Sequence, residues 1–185
     1  MLNATSENIT YAKGKVGGMA FRAPLGTSLP SDATTDLGSA WENVGHISDE
    51  GLAHGTSWTT NETKSWDGTI VKVSRSDKKE EFKFTMIEAL RTVVIKTVRG
   101  DGNVSGSLAT GLEITGNSSE LEGHSWVFEE ILDGGALKRT VVPNGEVTSI
   151  DEVAENGKNA VAYRVTLAAM PDSDGNTFKE YIYAG

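Results

Sequence analysis

The clearest periodic pattern of apolar and polar residues lies in residues 66–98. After Ile70, apolar and polar side chains alternate over residues 71–74 and again over residues 81–86. An apolar residue at every second position is typical of a half-buried β-strand. Because Ser76-Asp77-Lys78-Lys79 between the two runs is rich in turn-forming side chains, the pattern predicts a β-hairpin with one solvated face.

A different period follows the second run. Apolar residues recur at helical spacing at Ile87, Leu90, Val94 and Val98. This spacing predicts one amphipathic α-helix over about residues 87–98, ended by Gly100. The β-branched run Thr92–Ile95 within it favours a strand instead, since branched side chains lose rotamer freedom in a helix.

The rest of the chain predicts short strands separated by turns. Strands are expected in residues 16–23, 41–48, 108–115, 123–132, 136–142, 146–153, 160–169 and 177–183. Asp133-Gly134-Gly135 and Pro143-Asn144-Gly145 are predicted as hairpin turns. Turn signals recur every 8–12 residues or so, which predicts a mostly β sandwich or barrel of about nine or ten strands with one helix.

The domain boundary is expected near residue 19. Residues 1–18 are mostly polar and predict an N-terminal arm that is ordered only if something holds it. Residues 19–185 predict a single domain, because no linker-like composition divides them. Within this domain, residues 41–66 place Trp58 in a polar stretch that would bury little in a monomer, so we expect an extended segment for subunit contacts.

The charge balance restricts the classes of function. The chain has 26 acidic and 17 basic residues and a formal net charge of -9, which argues against a protein that grips nucleic acid. It does not argue against a surface along which DNA slides.

The absence of cysteine excludes disulfides and thiolate metal sites. With neither a signal peptide nor an apolar run of roughly 20 residues, a soluble protein made in a cytoplasm is expected.

Little in the sequence points to catalysis or metal binding. His46, His54 and His124 lack metal-ligand spacing, and no G-x-S-x-G motif occurs. Residues 172–176, Asp-Ser-Asp-Gly-Asn, resemble the start of a calcium loop but lack the Gly and Glu that an EF-hand needs further on, which favours an acidic turn. We expect no enzymatic activity, no cofactor and no bound metal.

Five segments occur in an order and spacing that mark a family. They are A-P-L-G-T-S-L-P at 23–30, V-G-H-I-S-D-E-G at 44–51, W-D-G at 66–68, the predicted hairpin with its helix at 71–98, and Y-R-V-T-L-A-A-M-P-D at 163–172. In these segments the chain resembles the tail tube (major tail) proteins of long-tailed bacteriophages. The resemblance covers most of residues 19–185.

The resemblance implies a fold of two packed β-sheets, or a flattened barrel, with one flanking α-helix. It implies hexameric rings that stack into a hollow tube around a tape-measure protein, meet tail-tip proteins and later conduct DNA without binding it tightly. The implied location is the virion tail, assembled in the host bacterial cytoplasm and away from any membrane. The acidic composition fits this function, because an acidic lumen repels DNA phosphates.

Two sets of residues are candidates for contacts in such a tube. The wet face of the predicted hairpin is a candidate for the lumen or a neighbouring subunit, with Lys72, Ser74, Glu81, Lys83 and Thr85. The segment 49–66 is the candidate for contact between rings, with Trp58, Glu62 and Lys64. The N-terminal arm is a second candidate for that contact.

Two alternatives remain at the level of sequence. The first is a monomeric β-sandwich module that binds a carbohydrate or a protein, with Trp41, Trp58, Trp66 and Trp126 as a stacking platform. Such a module would cluster these side chains on one exposed face. The second is another virion protein of the same fold, such as a tail terminator, or a tube-like protein of a contractile or secretion machine.

Overall fold

The computed structural model describes residues 6–185, and residues 1–5 of the predicted arm lie outside the described residues. The strands are β1 (Ala12–Gly14), β2 (Ala20–Pro24), β3 (Glu42–Asn43), β4 (Ala53–Lys64), β5 (Ile70–Met86), β6 (Val104–Ser107), β7 (Gly111–Ile114), β8 (His124–Leu132), β9 (Leu137–Ile150), β10 (Tyr163–Met170) and β11 (Lys179–Tyr183). The described helices are α1 (Thr92–Arg99) and the short 3-10 turns Ser6–Asn8, Asp101–Asn103 and Asp133–Gly135. The predicted mostly β chain with one α-helix is confirmed.

One large antiparallel sheet contains nine of these strands. Its path is β3-β2-β8-β9-β10-β5-β4, with β1 paired to β8 and β11 paired to β9, while β6 and β7 form a separate ribbon. The chain after β3 continues across to β5, where the Ser48 amide donates to the Thr85 carbonyl and Ile47 bridges Met86. Because residues 42–48 thus connect β2 to β5, the sheet closes into a flattened barrel.

The interior of the barrel is built around aromatic side chains. Phe84 meets Trp126 edge-on at 5.6 Å and Phe128 at 5.3 Å between ring centroids, and all three are buried. Helix α1 adds Val94 and Val98 to the same core. Trp126 therefore packs in the core.

The helix is shorter than the predicted span of 87–98. It begins at Thr92 because residues 87–91 form a turn, in which the Glu88 carboxylate accepts from the His46 amide at 2.8 Å and from Arg91 Nε at 2.6 Å. The β-branched residues of Thr92–Ile95 are helical despite their modest propensity, since burial against the barrel outweighs it. No described helix is long and apolar enough to span a membrane.

The predicted hairpin within residues 69–86 is wrong. Residues 70–86 form one continuous strand, and its hairpin partner is the upstream strand β4, joined through a turn at Ser65–Thr69. The predicted turn residues lie in a β-bulge instead, because Ser57 is opposite Lys79 while Thr59 is opposite Ser76. Asp77 accommodates the extra residue at a φ of 51°, a conformation that Asp tolerates better than most residues.

The predicted turn at Pro143-Asn144-Gly145 is also wrong. Strand β9 runs straight through it, and the register of His124 with Gly145 and of Trp126 with Val142 places one extra residue of β9 in a bulge. A bulge is one of the few sheet positions that tolerate a residue without an N–H. Ser125 Oγ donates to the Pro143 carbonyl at 2.7 Å and ties the bulge to β8.

The remaining strands differ from the prediction mainly in extent. The described residues contain eleven strands, against about nine or ten expected, because the short strands β1 and β6 lie in stretches read as arm and loop. The predicted strand at 41–48 is reduced to Glu42–Asn43 and the bridge at Ile47. The turn predicted at Asp133–Gly135 is confirmed as a 3-10 turn between β8 and β9.

We expect Gly145→Ala to destabilise the barrel by about 1–3 kcal/mol, since an added methyl group overpacks a filled core. A Cβ at this position would lie 2.9 Å from Trp126 Cδ1 and 3.0 Å from Leu167 Cδ2. Urea unfolding measures the change. The control is Gly157→Ala, where no atom lies within 4 Å; it should shift stability by less than about 1 kcal/mol. Equal effects of the two variants would contradict this account of the core.

Candidate assembly surface

The most exposed part of the fold is the hairpin made by β4 and the first part of β5, residues 53–79, here called the hairpin arm. Every residue of β4 is exposed, and Ile70, Val71 and Val73 are 48%, 61% and 57% exposed. The prediction that these apolar residues form the buried face of a strand is therefore wrong. A stretch of β-branched residues left in water is a feature of surfaces that meet other chains.

Both edges of the hairpin arm are open. Within residues 6–185, β4 pairs only with β5, and β10 pairs with β5 only over residues 80–86. A two-stranded ribbon is marginally stable in water on its own, and an open edge is a template for another strand. The hairpin arm thus has unused hydrogen-bonding capacity along both of its sides.

The register of the two strands divides the side chains of the hairpin arm between two faces, since directly opposite residues share a face. The polar face carries Lys72 and Ser74 of the predicted set together with small polar residues of β4 such as Thr59 and Asn61. It continues beyond the hairpin arm onto the barrel wall with Glu81, Lys83 and Thr85, the rest of that set. The bulge at Asp77 adds one residue to β5, so the polar side chains before and after it lie on the same face of the sheet.

The opposite face, here called the Trp58 face, carries the second predicted set, Trp58, Glu62 and Lys64, together with Ile70, Val73 and Arg75. The Arg75 guanidinium lies 5.1 Å from the centroid of the Trp58 ring, yet the Trp58 side chain remains 46% exposed. Lys64 Nζ lies 3.9 Å from Glu62, a loose surface pair. The two predicted sets therefore occupy opposite faces of one ribbon.

The hairpin arm joins the barrel at Glu80, a buried carboxylate that the sequence pattern did not single out. Thr56 Oγ1 donates to Glu80 Oε2 at 2.5 Å, and His54 Nε2 lies 2.8 Å from the same oxygen. Lys78 Nζ lies 2.6 Å from Oε1. The His54 ring also stacks on Phe82, with 4.3 Å between ring centroids, which ties this cluster to the barrel core.

Two opposing effects set the pKa of Glu80. Burial is the largest single effect and raises the pKa, because it disfavours the charged form. Hydrogen bonds from Lys78, Thr56 and His54 together outweigh burial and hold the pKa below the ordinary value of 4.5. Glu80 is therefore ionised at neutral pH and anchors the root of the hairpin arm.

A group of potential metal ligands lies beside the start of β8. Asp101, Glu122 and His124 form the only set of three His and carboxylate side chains in residues 6–185 whose ligand atoms lie close together. Arg22 Nη1 lies 2.8 Å from Asp101 Oδ1, so a cation would compete with a buried guanidinium for that carboxylate. The three residues are scattered in sequence, so their spacing gave no signal.

The acidic segment 172–176 forms a turn, as predicted. Asp172 Oδ1 accepts from the backbone amides of Asn176 at 2.8 Å and Asp174 at 3.0 Å. The bond from the Asn176 backbone is the main reason that the pKa of Asp172 lies below its ordinary value; burial opposes the shift, and the bond from Asp174 adds to it. This carboxylate is thus used to stabilise the turn itself.

The four tryptophans do not share one exposed face. Trp126 is buried in the core, Trp58 lies on the hairpin arm, and Trp66 lies in the turn at its tip.

A closed β-barrel with a long, partly apolar ribbon and open strand edges defines a class of protein. It is typical of a structural subunit that associates with other chains through β-structure.

A comparison with protein families identifies the family to which this structural subunit belongs. The family model described as phage tail tube protein matches residues 4–184, and the chain belongs to this family. A comparison with curated proteins gives no match. The predicted resemblance is confirmed: the protein is a structural component of a phage tail, from a family whose members assemble with copies of themselves into a tube.

We expect Glu80→Gln to destabilise the fold by about 1–3 kcal/mol at neutral pH, because the amide cannot replace a charged acceptor for three donors. Since the folded-state pKa of Glu80 is lowered, its contribution is complete above its ordinary pKa of 4.5 and is lost as the pH falls below that value. Wild-type stability should therefore drop more steeply than that of the variant on acidification, as measured by urea unfolding across this pH range.

The matched control is Glu62→Gln, which changes an exposed carboxylate of the same hairpin arm with Lys64 at 3.9 Å as its neighbour. This control should leave both the stability and its pH dependence almost unchanged. Parallel pH profiles for wild type and Glu80→Gln would contradict the anchoring role of Glu80.

Proposed function

We propose that the protein forms hexameric rings that stack into the hollow tube of a phage tail, through which DNA passes. The observation that carries the proposal is the hairpin arm, a ribbon with two open edges attached to a closed barrel. Copies arranged around a symmetry axis pair such edges with one another, and a closed ring leaves none of them open.

The polar face of the hairpin arm supports a role in the lumen wall or against the next subunit. This face continues onto β10, where Thr85 lies opposite Arg164 and Lys83 lies opposite Thr166. Lys83 Nζ lies 3.6 Å from Glu81, so the charges there are mixed and partly compensated. Mixed charges of this kind would hold phosphates weakly, which suits passage of DNA without tight binding.

The Trp58 face supports contact between rings. Ten residues of β5, from Ile70 to Lys79, precede Glu80, and at about 3.3 Å per residue they span roughly 30 Å, enough to reach another subunit. Trp58 supplies a large apolar surface there, while Glu62 and Lys64 supply charges at its margin. We assign these three residues to the contact between one ring and the next.

The remaining partners follow from the tail tube function. A tape-measure protein would occupy the lumen during assembly, and tail-tip proteins would meet the first ring. Assembly would take place in the cytoplasm of the host bacterium. DNA would be a passing cargo and not a tightly bound ligand, in keeping with the formal net charge of -9.

Electron microscopy of the concentrated protein tests this proposal. We expect six-fold rings, and stacks of rings, with a central channel wide enough for duplex DNA. The same sample with a purified tail-tip complex as initiator covers the case in which nucleation limits assembly. Particles that stay monomeric under both conditions, or rings of a different symmetry, would contradict the hexameric tube.

We expect Trp58→Ala to leave the monomer folded and to reduce tube formation at least about tenfold, because a central tryptophan contributes about 2 kcal/mol or more to a contact. Sedimentation and microscopy measure tube yield, and circular dichroism checks the fold. Leu25→Ala is the control, since it removes a side chain of similar exposure, 50%, from the loop after β2. Normal tube yield from Trp58→Ala would remove Trp58 from the ring contact.

A further inference from the structure

An open apolar groove lies at the end of the barrel where β5 finishes. Its volume is about 900 Å³, and its apolar lining includes Ile87, Leu90, Ile95, Leu108, Ile114 and Val161. Leu90 and Leu108 are 70% and 60% exposed, although the helical pattern placed Leu90 on a buried stripe. The groove is formed by the turn before α1, the β6–β7 ribbon and the segment before β10, so no single stretch of sequence signals it.

The hairpin arm carries the complementary apolar feature. Trp66 lies in the turn between β4 and β5 and is completely exposed, and Ile70, the first residue after this turn, is 48% exposed. A solvated indole at the end of a long ribbon buries nothing in the monomer. A groove that accepts it would remove a large apolar area from water on both sides.

The groove and the tip cannot meet within one chain. Ile70 begins β5 and Ile87 follows its last residue, so the two features lie at opposite ends of one strand of 17 residues. At about 3.3 Å per residue this strand is roughly 50 Å long. Contact between the tip and the groove must therefore join two copies. When it repeats from subunit to subunit in a tube, it runs head to tail, an arrangement that builds rings or open stacks.

The charges of the two features are also complementary. The hairpin arm, residues 53–79, has five basic and three acidic side chains, whereas the rest of the chain has 12 basic and 23 acidic ones. Residues 100–123, which include the β6–β7 side of the groove, have four carboxylates and no basic residue. Glu88, Arg91 and Glu155 line the groove as well, and Arg91 Nε is paired with Glu88 at 2.6 Å. A basic ribbon is thus attracted to an acidic rim.

We propose that the tip of the hairpin arm of one copy, with Trp66 as its anchor, docks into the apolar groove between Leu90, Leu108 and Ile114 of a second copy. This inference rests on the proposed tube function and specifies which surfaces of two subunits meet. It makes the contact heterologous, so the assembly has a direction: each subunit donates a tip at one end and receives one at the other.

Cysteine cross-linking tests the docking directly, because the chain has no cysteine of its own. Thr69→Cys, in the turn beside Trp66, and Ala160→Cys, in the lining of the groove, leave Trp66 and Leu108 in place. The two proteins are mixed, allowed to assemble and treated with a short bismaleimide. We expect a covalent dimer in the mixture, and a ladder of covalent multimers from a protein that carries both substitutions. In addition, Trp66→Ala should raise the protein concentration at which assembly begins at least about tenfold.

The control replaces Ala160→Cys by Val16→Cys, a residue that is 93% exposed and outside the groove. Equal cross-linking of Thr69→Cys to both partners would overturn the docking. So would wild-type-like tubes in which Thr69→Cys and Ala160→Cys give no cross-linked product. A covalent ladder from protein that forms no rings or tubes in the microscope would support the docking and contradict the hexameric tube, so the two proposals fail separately.

Discussion

Burial of Phe82, Phe84 and Met86 in the barrel fixes the position of every other residue of β5. Each of these side chains contributes about 1.5–3 kcal/mol through burial, and a slip by one residue would turn all three towards water. The register of β5 in turn sets that of β4, which has no contact with the core along most of its length. The surfaces of the hairpin arm are thus determined by packing inside the barrel.

Two β-bulges allow the two halves of a long strand to have different surroundings. In β5 the bulge at Asp77 separates the exposed ribbon from the buried end, and it keeps the polar side chains on one face throughout. In β9 the bulge at Pro143 lets one strand pair with β8 and β11 in its first half and with β10 in its second. Continuous strands of this length make the hairpin arm a direct extension of the barrel wall.

The root of the hairpin arm is electrostatically unlike the rest of it. Glu80 is buried among His54, Thr56 and Lys78, whereas the charges further out are paired loosely or are exposed. A buried, hydrogen-bonded root with a solvated ribbon beyond it is consistent with the proposal that the ribbon meets another copy on assembly. Its net positive charge is opposite in sign to that of the rest of the chain, as the proposed contact with another copy requires.

The sequence determined much of what depends on local periodicity. The alternation over residues 81–86 and 163–169 identified two strands of the core, and the Asp133–Gly135 turn followed from its residue types. The order of the motifs identified the family, and the composition excluded disulfides. The two strands and the turn could be predicted because each depends on residues that are close together in the chain. The motif order and the composition could be read because they require no knowledge of contacts.

The tertiary structure decided everything that depends on a distant partner. Ser76-Asp77 and Pro143-Asn144 are equally suited to a turn and to a bulge, and only the strand opposite each of them decides which one forms. The helix begins at Thr92 because Glu88 is used by His46, far away in sequence. The groove at Leu90 and the anchor at Glu80 are likewise assembled from separate segments. The local pattern predicts which side chains favour burial, but long-range packing determines which of them are buried.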